Sequence, residues 1–174
     1  LNLSKRDTVL QVGAATGYVT ALLAHKAQRV IGLEADATLA SQARTNLRKA
    51  GVNNAEIVQA DGSTGLAAQA PFDAILLTGS LAQAPQALLD QLKVGGRLLA
   101  ILGQEPVMQA TLFTRVAASL WVLRQGHGEM AVGLLLTVAG GPIYEIAAKA
   151  GASLSDRSIY VTAVLDSGAP APPG

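Results

Sequence analysis

The sequence predicts an α/β fold with a doubly wound, mostly parallel sheet of about seven strands. Three observations lead to this prediction. Five short apolar runs alternate with stretches of helical spacing, which is the pattern of βαβ units. Half of the 174 residues are apolar, so the chain can bury one core. A glycine-containing turn then joins the first run to a helix, at the strand end where such sheets bind ligands.

The five apolar runs are the strand candidates. They are residues 8–12, 29–33, 55–59, 73–77 and 97–102. Residues 38–50 place Leu39, Ala43 and Leu47 at helical spacing, and Gly51 is typical of a helix end. A shorter helix is predicted over residues 85–92, because a proline suits its first turn and a glycine pair follows it. Right-handed crossovers between such elements give a doubly wound sheet.

The second half of the chain has a weaker pattern. Residues 107–116 are predicted to form a strand, or a short helix and then a strand, and residues 158–165 form a final strand. Residues 125–155 are rich in glycine and alanine and are left unassigned. The last residues, 167–174, are expected to be a disordered tail. We therefore predict one domain over residues 1–166, best supported over residues 3–116.

Composition excludes several classes of function. The net charge is +1 and no block of Lys or Arg occurs, so no nucleic-acid partner is expected. With no Cys and two His, no zinc cluster, thiol nucleophile or disulfide framework is expected. The longest apolar run, residues 130–141, is shorter than the roughly 20 residues that span a bilayer, so we expect no membrane partner and a cytoplasmic location. The chain begins with Leu1 and has no signal segment, so we expect a processed or trimmed start.

The sharpest motif is VLQVGAATGY at residues 9–18. An apolar strand leads into Gly13, two small residues, Thr16 and Gly17, and a helix follows. Small residues let a ligand approach the backbone, and the N–H groups of a helix N-terminus favour an anion. A tight strand-to-helix turn also needs glycine for purely structural reasons, so the motif alone leaves both interpretations open.

Carboxylates follow the second and third strand candidates. Glu34 ends the second strand about twenty residues beyond the glycine turn, where a carboxylate can accept both ribose hydroxyls of an adenosine. Asp36 is interpreted as a helix cap. Asp61 follows the third strand and can accept from an adenine amino group, or it can form an ordinary Asp-Gly turn with Gly62. Three ligand-suited strand ends at one edge favour the binding of a nucleoside.

Together these motifs resemble the class I methyltransferases, a Rossmann-like group, and they are most similar to the protein-L-isoaspartate O-methyltransferase family. The resemblance is carried in order by VLQVGAATGY, GLEAD, VQADGS, APFDAILLTGS and LLDQLKVGGRLLAILG. It implies S-adenosylmethionine as the cofactor, S-adenosylhomocysteine as the product, and an isoaspartyl-bearing protein or peptide as the substrate. The residues it places at the cofactor are Gln11, Gly13, Ala14, Ala15, Thr16, Gly17, Tyr18, Glu34, Ala35, Asp61, Gly62 and Thr78.

The resemblance also implies a role for each part of this set. Residues 13–17 would wrap the methionine part of the cofactor, and Glu34 would hold the ribose. Asp61 and Gly62 would meet the adenine. Thr78 and the two residues after it would line the rim beside the sulfonium.

This chain departs from the family pattern at several places. Gln11 stands where the family has an acidic residue, so a negative charge that would favour a cationic cofactor is missing. Ala15 replaces the middle glycine of the turn and adds a methyl group where close approach is needed. The family's N-terminal segment, which closes over the substrate, is not expected in the few residues before the first strand of this sequence. The stretch after Trp121 is expected not to match the family.

The main hypothesis is therefore an S-adenosylmethionine-dependent carboxyl O-methyltransferase that repairs isoaspartyl residues in damaged proteins. An acceptor carboxylate is already anionic, so no general base is needed and no catalytic residue is named. His25 and His127 are interpreted as a surface residue at a helix end and a loop residue.

Three other functions were considered. The alternative that remains is a degenerate, non-catalytic module of the same fold that binds the cofactor or a partner. A nicotinamide-dependent dehydrogenase is disfavoured, because Tyr18 stands where its G-x-G-x-x-G fingerprint needs a small residue. Residues 78–81 lack the Asn/Asp-Pro-Pro-aromatic motif of enzymes that methylate the amino groups of DNA bases.

Overall fold

The computed structural model describes residues 1–104, 106–117, 120–125, 129–136 and 144–149. The strands in this part of the chain are β1 (Thr8–Val12), β2 (Arg29–Glu34), β3 (Ala55–Gln59), β4 (Phe72–Leu81), β5 (Leu92–Gln104), β6 (Val107–Ala117), β7 (Leu120–Gln125), β8 (Glu129–Leu136) and β9 (Tyr144–Lys149). The α-helices are α1 (Tyr18–Lys26), α2 (Ala37–Lys49) and α3 (Gln86–Asp90), and short 3-10 helices lie at Gly62–Thr64 and Ala67–Gln69. None of these helices is long and apolar enough to cross a membrane.

All the described strands belong to one sheet, in the order β3-β2-β1-β4-β5-β6-β7-β8-β9. The pairs from β3 to β5 are parallel, whereas β5 to β9 pair antiparallel in chain order. The strand order reverses between β1 and β4, and open α/β sheets bind ligands at such a switch point. The carboxyl ends of β1 to β4 are therefore the edge at which a site is expected.

Apolar side chains cover both faces of the parallel part of the sheet. On one face, Val9 and Val30 pack against Leu23 of α1. On the opposite face, Leu10 packs against Leu88 of α3. Neighbouring residues of a strand point to opposite faces, so the full burial of both Val9 and Leu10 explains why β1 has apolar residues at adjacent positions instead of an alternating pattern.

The predicted doubly wound α/β fold is confirmed, with nine strands among the described residues instead of about seven. Half of the strand pairs are antiparallel, because the stretch left unassigned beyond residue 125 contributes β8 and β9 to the sheet. The predicted strand at residues 107–116 is confirmed as β6. The predicted strand at residues 158–165, the tail at residues 167–174 and His127 lie outside the described residues, and the single domain over residues 1–166 stays a prediction.

Predicted boundaries around β4 and β5 were wrong, among them the start of the fifth strand, which was expected at residue 97 and lies at Leu92. The helix expected over residues 85–92 ends at Asp90, because the Phe72 N–H donates to the Gln91 carbonyl at 2.8 Å and Leu92 pairs with Phe72 as the start of β5. The fourth strand, expected to end at residue 77, continues to Leu81 after an irregular stretch, because residues 80 and 81 pair with β5. These differences come from pairing between β4 and β5, which a local pattern does not contain.

A polar cluster ties the chain before β1 to β5. The Asp7 carboxylate accepts hydrogen bonds from the Ser4 hydroxyl at 2.6 Å and from Arg97 Nη2 at 2.9 Å. Burial of Asp7 opposes its ionisation, but the hydrogen bonds from Ser4 and the charge and hydrogen bond of Arg97 outweigh burial. The pKa of Asp7 consequently lies below its usual value of 3.8. Asp7 therefore stabilises the fold in its ionised form.

Candidate cofactor site

The turn between β1 and α1 contains three residues in the left-handed region. Gly13 and Gly17 have φ angles of 86° and 85°, and Ala15 has a φ of 47°. Glycine adopts this conformation without steric cost, whereas the Cβ of alanine is strained there. The N–H groups of Gly13 and Ala14 both donate to the carbonyl of Leu33 at 2.9 Å. The turn is thereby held at the carboxyl ends of β1 and β2.

The end of this turn also brings two helices together. An ideal Cβ built on Gly17 would lie 3.2 Å from backbone and side-chain atoms of Ala43, so α1 and α2 meet closely at this point. Asn46 of α2 donates through Nδ2 to the Thr16 carbonyl at 2.9 Å. The first N–H groups of an α-helix have no partner within the helix, so α1 presents donors and a positive dipole end beside the turn.

Glu34 connects the turn to α2. Its Oε2 accepts from the Ala15 N–H at 2.7 Å, and its Oε1 accepts from the Asp36 N–H at 3.0 Å. Because an ionised carboxylate has about four lone-pair sites, both oxygens keep capacity for further donors. Asp36 caps α2 by accepting from the Leu39 N–H at 2.8 Å, as predicted. The Glu34 carboxylate is therefore held in place by backbone N–H groups and can still accept two hydroxyls.

Two predicted site residues lie behind the turn. Gln11 is fully buried; its Oε1 accepts from the Thr20 hydroxyl at 2.7 Å and its Nε2 donates to the Gly13 carbonyl at 3.2 Å. Ala14 is 2% exposed and packs in a cluster with Ala40 of α2. Both side chains support the turn from the protein interior, and their contact with a cofactor stays a prediction. Thr20 was missed, although a lone Gln in an apolar strand signals that a buried polar partner is needed.

The loop after β3 brings Asp61 to the same edge of the sheet. Its Oδ1 accepts from the Ser63 N–H at 2.9 Å and so caps the 3-10 helix Gly62–Thr64. Asp61 is exposed, so its carboxylate is open to solvent. An ideal Cβ on Gly62 would lie 2.4 Å from Cγ1 of Val12, the last residue of β1. The loop packs directly on β1 at this position, so a side chain at residue 62 would overlap Val12.

Thr78 lies on the other side of the turn, in the extension of β4. Its hydroxyl faces two backbone carbonyls, that of Val12 at 3.0 Å and that of Gly13. An ideal Cβ on Gly13 would lie 2.6 Å from this hydroxyl, so only glycine fits there. Thr78 thus fastens β4 to the turn.

The remaining predicted residues are at the surface of the same region. Tyr18 opens α1 and is 71% exposed, Thr16 is exposed within the turn, and Ala35 is exposed between Glu34, the last residue of β2, and Asp36. The structure therefore brings all twelve predicted residues to the carboxyl ends of β1 to β4. Asn46 was missed, because no local pattern shows that a side chain from the middle of α2 reaches the turn.

This chain is similar in sequence and fold to known proteins. The family model described as protein-L-isoaspartate(D-aspartate) O-methyltransferase (PCMT) matches residues 1–130. The match continues past Trp121, beyond which none was expected. A curated protein-L-isoaspartate O-methyltransferase of Roseobacter denitrificans is 43% identical over 109 residues, which is 63% of this chain and 51% of the relative. This chain therefore spans about half the length of that relative.

Two solved structures resemble the fold. A protein-L-isoaspartate O-methyltransferase has a TM-score of 0.65 and 27% identity, covering 71% of this chain and 40% of that one. A putative member from Plasmodium falciparum, in complex with S-adenosyl-L-homocysteine, has a TM-score of 0.63 and covers 72% of this chain and 64% of that one; at 20% identity it supports the fold alone. Since the family model matches most of the residues, this chain belongs to the protein-L-isoaspartate(D-aspartate) O-methyltransferase family.

Proposed function

We propose that this protein is an S-adenosylmethionine-dependent methyltransferase that transfers a methyl group to the carboxylate of L-isoaspartyl residues in damaged, cytoplasmic proteins. The observation that carries the proposal is the placement of the left-handed turn, Glu34, Asp61 and Thr78 at one edge of the sheet, across the switch point. Family membership supports the same reaction. The departures at Gln11 and Ala15 are the arguments for the alternative, a non-catalytic module, but the family match does not favour it.

The residues at this edge fit the cofactor chemically. The oxygens of Glu34 each accept one backbone N–H and keep acceptor capacity for the two ribose hydroxyls. Asp61 presents an acceptor to the 6-amino group of adenine one strand further along. The helix N-terminus after Gly17 offers N–H donors to the carboxylate of the methionine part. Carboxylates on one side also favour the positive charge of the sulfonium.

S-adenosylmethionine, when bound, supplies an electrophilic methyl group to an attacking nucleophile. The acceptor carboxylate attacks without prior loss of a proton, so the protein needs to position the reactants and exclude water, not to supply a base. The hydrogen bonds of the turn support a role in positioning. The turn is held by hydrogen bonds with Leu33, Thr78 and Glu34, which are contacts within the protein itself.

A methyl-transfer assay tests the proposal. The protein is incubated with S-adenosylmethionine labelled in its methyl group and with either of two peptides, identical except that one contains L-isoaspartyl where the other contains aspartyl. Base-labile label in the isoaspartyl peptide alone is the expected result. Label in neither peptide contradicts the proposed activity, and transfer only to another acceptor refutes the proposed substrate.

A further inference from the structure

Gln91 is a buried amide with three side-chain hydrogen bonds, two of which reach the loop that carries Asp61. It is 7% exposed and forms the C-cap of α3. Its Oε1 accepts from the Leu66 N–H at 2.7 Å, and its Nε2 donates to the Thr64 carbonyl at 2.7 Å and to the Ala87 carbonyl at 2.9 Å. Each donor and acceptor site that a buried amide must satisfy is used, so the side chain has one defined orientation.

The two loop contacts lie at the end of the 3-10 helix that Asp61 caps, at Thr64, and just after it, at Leu66. Asp61 accepts from the Ser63 N–H, and Gly65 closes the 3-10 helix by donating to the Gly62 carbonyl at 3.0 Å. Gln91 then holds the backbone on either side of Gly65. The loop segment from residue 61 to residue 65 is thus one tight unit fastened at its far end to α3.

The fit between Gln91 and this loop leaves no free space. Gly65 has a φ of 69°, and an ideal Cβ on it would lie 2.5 Å from Gln91 Oε1 and 2.6 Å from Leu88 Cδ2. At its near end the loop is held by the Ala60 N–H, which donates to the Glu34 carbonyl at 3.0 Å. Two anchors therefore fix the loop, one on β2 and one on α3.

We infer that Gln91 is a positioning residue that sets adenine recognition, by holding the loop so that Asp61 faces the 6-amino group of the nucleobase. This inference rests on the proposed function and deepens it. Gln91 is buried and its hydrogen bonds go to backbone groups, so its effect passes through Asp61. Losing its side chain leaves the Thr64 carbonyl and the Leu66 N–H without their partner, and the loop then shifts to reach water.

Nucleobase selectivity tests the inference, because a purely structural residue would not change it. Calorimetry compares S-adenosylhomocysteine with its inosine counterpart, in which oxygen replaces the 6-amino group. The intact protein should prefer the adenine compound. Gln91→Leu, which keeps the volume but loses the hydrogen bonds, should bind S-adenosylhomocysteine about tenfold more weakly and lose most of the preference. The matched control is Gln86→Leu, because the Gln86 side chain donates a hydrogen bond to Asp90 on the surface of the same helix. This control should retain both the affinity for S-adenosylhomocysteine and the preference for adenine.

Asp61→Ala supplies the second half of the test. In a chain that already lacks the Asp61 carboxylate, Gln91→Leu should cause no further loss of preference, since both changes act on one contact. Should Gln91→Leu fail to fold, Gln91→Glu is measured instead; it keeps the acceptor for Leu66 and loses both donors. A folded variant with the preference of the intact protein overturns the inference, as does an intact protein that binds both compounds equally. An intact protein that binds neither compound contradicts the proposed function itself.

Discussion

Ala15→Gly should stabilise the protein, although it removes a methyl group. Ala15 has a φ of 47°, in a region that costs an L-residue with a Cβ roughly 1–2 kcal/mol. Glycine removes this strain, but its greater freedom in the unfolded chain costs about 0.4–1 kcal/mol. The hydrogen bond to Glu34 comes from the backbone N–H and is retained. The net expectation is a rise of about 0.5–1 kcal/mol in the free energy of unfolding.

Equilibrium unfolding in urea measures this change, with Ala14→Gly as the matched control. Ala14 is 2% exposed, and its φ is not in the left-handed region. Its replacement loses a buried methyl group, worth about 0.8 kcal/mol, and adds unfolded-state freedom, so stability should fall by about 1–2 kcal/mol. The same substitution, Ala to Gly, is thus expected to raise the free energy of unfolding at residue 15 and to lower it at residue 14. A loss of stability in Ala15→Gly as large as that in Ala14→Gly would refute the assignment of strain to Ala15.

Three further substitutions test other contacts. Thr20→Val should lower the free energy of unfolding by about 1–3 kcal/mol, because it leaves Gln11 Oε1 buried without its donor; Thr20→Ser, measured in parallel, should lose less. Gly62→Ala should lower the free energy of unfolding by about 1–3 kcal/mol, because the new methyl group overlaps Val12. In urea unfolding, Val12→Ala should lower stability less in the Gly62→Ala protein than in the intact protein. Strictly additive effects of the two substitutions would argue against the overlap. Asp7→Asn should lower stability at neutral pH. Because the pKa of Asp7 is lowered in the folded protein, the intact protein loses this contribution to stability as pH falls below about 4. The urea midpoint of Asp7→Asn should therefore fall less on acidification than that of the intact protein. Equal falls in the two midpoints would show that Asp7 does not contribute to the pH dependence of stability.

The parallel half of the fold could be predicted because its strands are buried on both faces. Both β1 and β2 have apolar residues at adjacent positions and are followed by a turn and a helix, and these local patterns also dictate their tertiary neighbours. The boundaries near Leu81 and Leu92 could not be predicted, because they depend on the pairing of β4 with β5. The strands β8 and β9 lie in a sequence rich in glycine and alanine, where weak side-chain patterns do not mark a strand.

In the candidate site, too, some residues could be predicted from local sequence patterns and others could not. Gly13, Glu34 and Asp61 were predicted because strand ends in a parallel sheet converge at one edge. Their supports could not be predicted: Asn46 is 30 residues from the carbonyl it contacts, and Gln91 is 25 residues from Leu66. Such pairs follow from the packing of helices on the sheet, which exists only in the folded chain. Sequence therefore predicted residues of the candidate site, and the structure identified side chains that hold them in place.

The central claim is that the carboxyl edge of β1 to β4 binds S-adenosylmethionine and its product through Glu34. Calorimetric titration with S-adenosylhomocysteine tests it most directly, on the intact protein, on Glu34→Ala and on the control Glu56→Ala, whose side chain pairs with Arg29 near the amino end of the sheet. The intact protein and the control should bind equally, and Glu34→Ala should bind more weakly by about 1–3 kcal/mol. Equal affinity of all three proteins would remove Glu34 from the site, and no binding by the intact protein at millimolar ligand would contradict the claim as a whole.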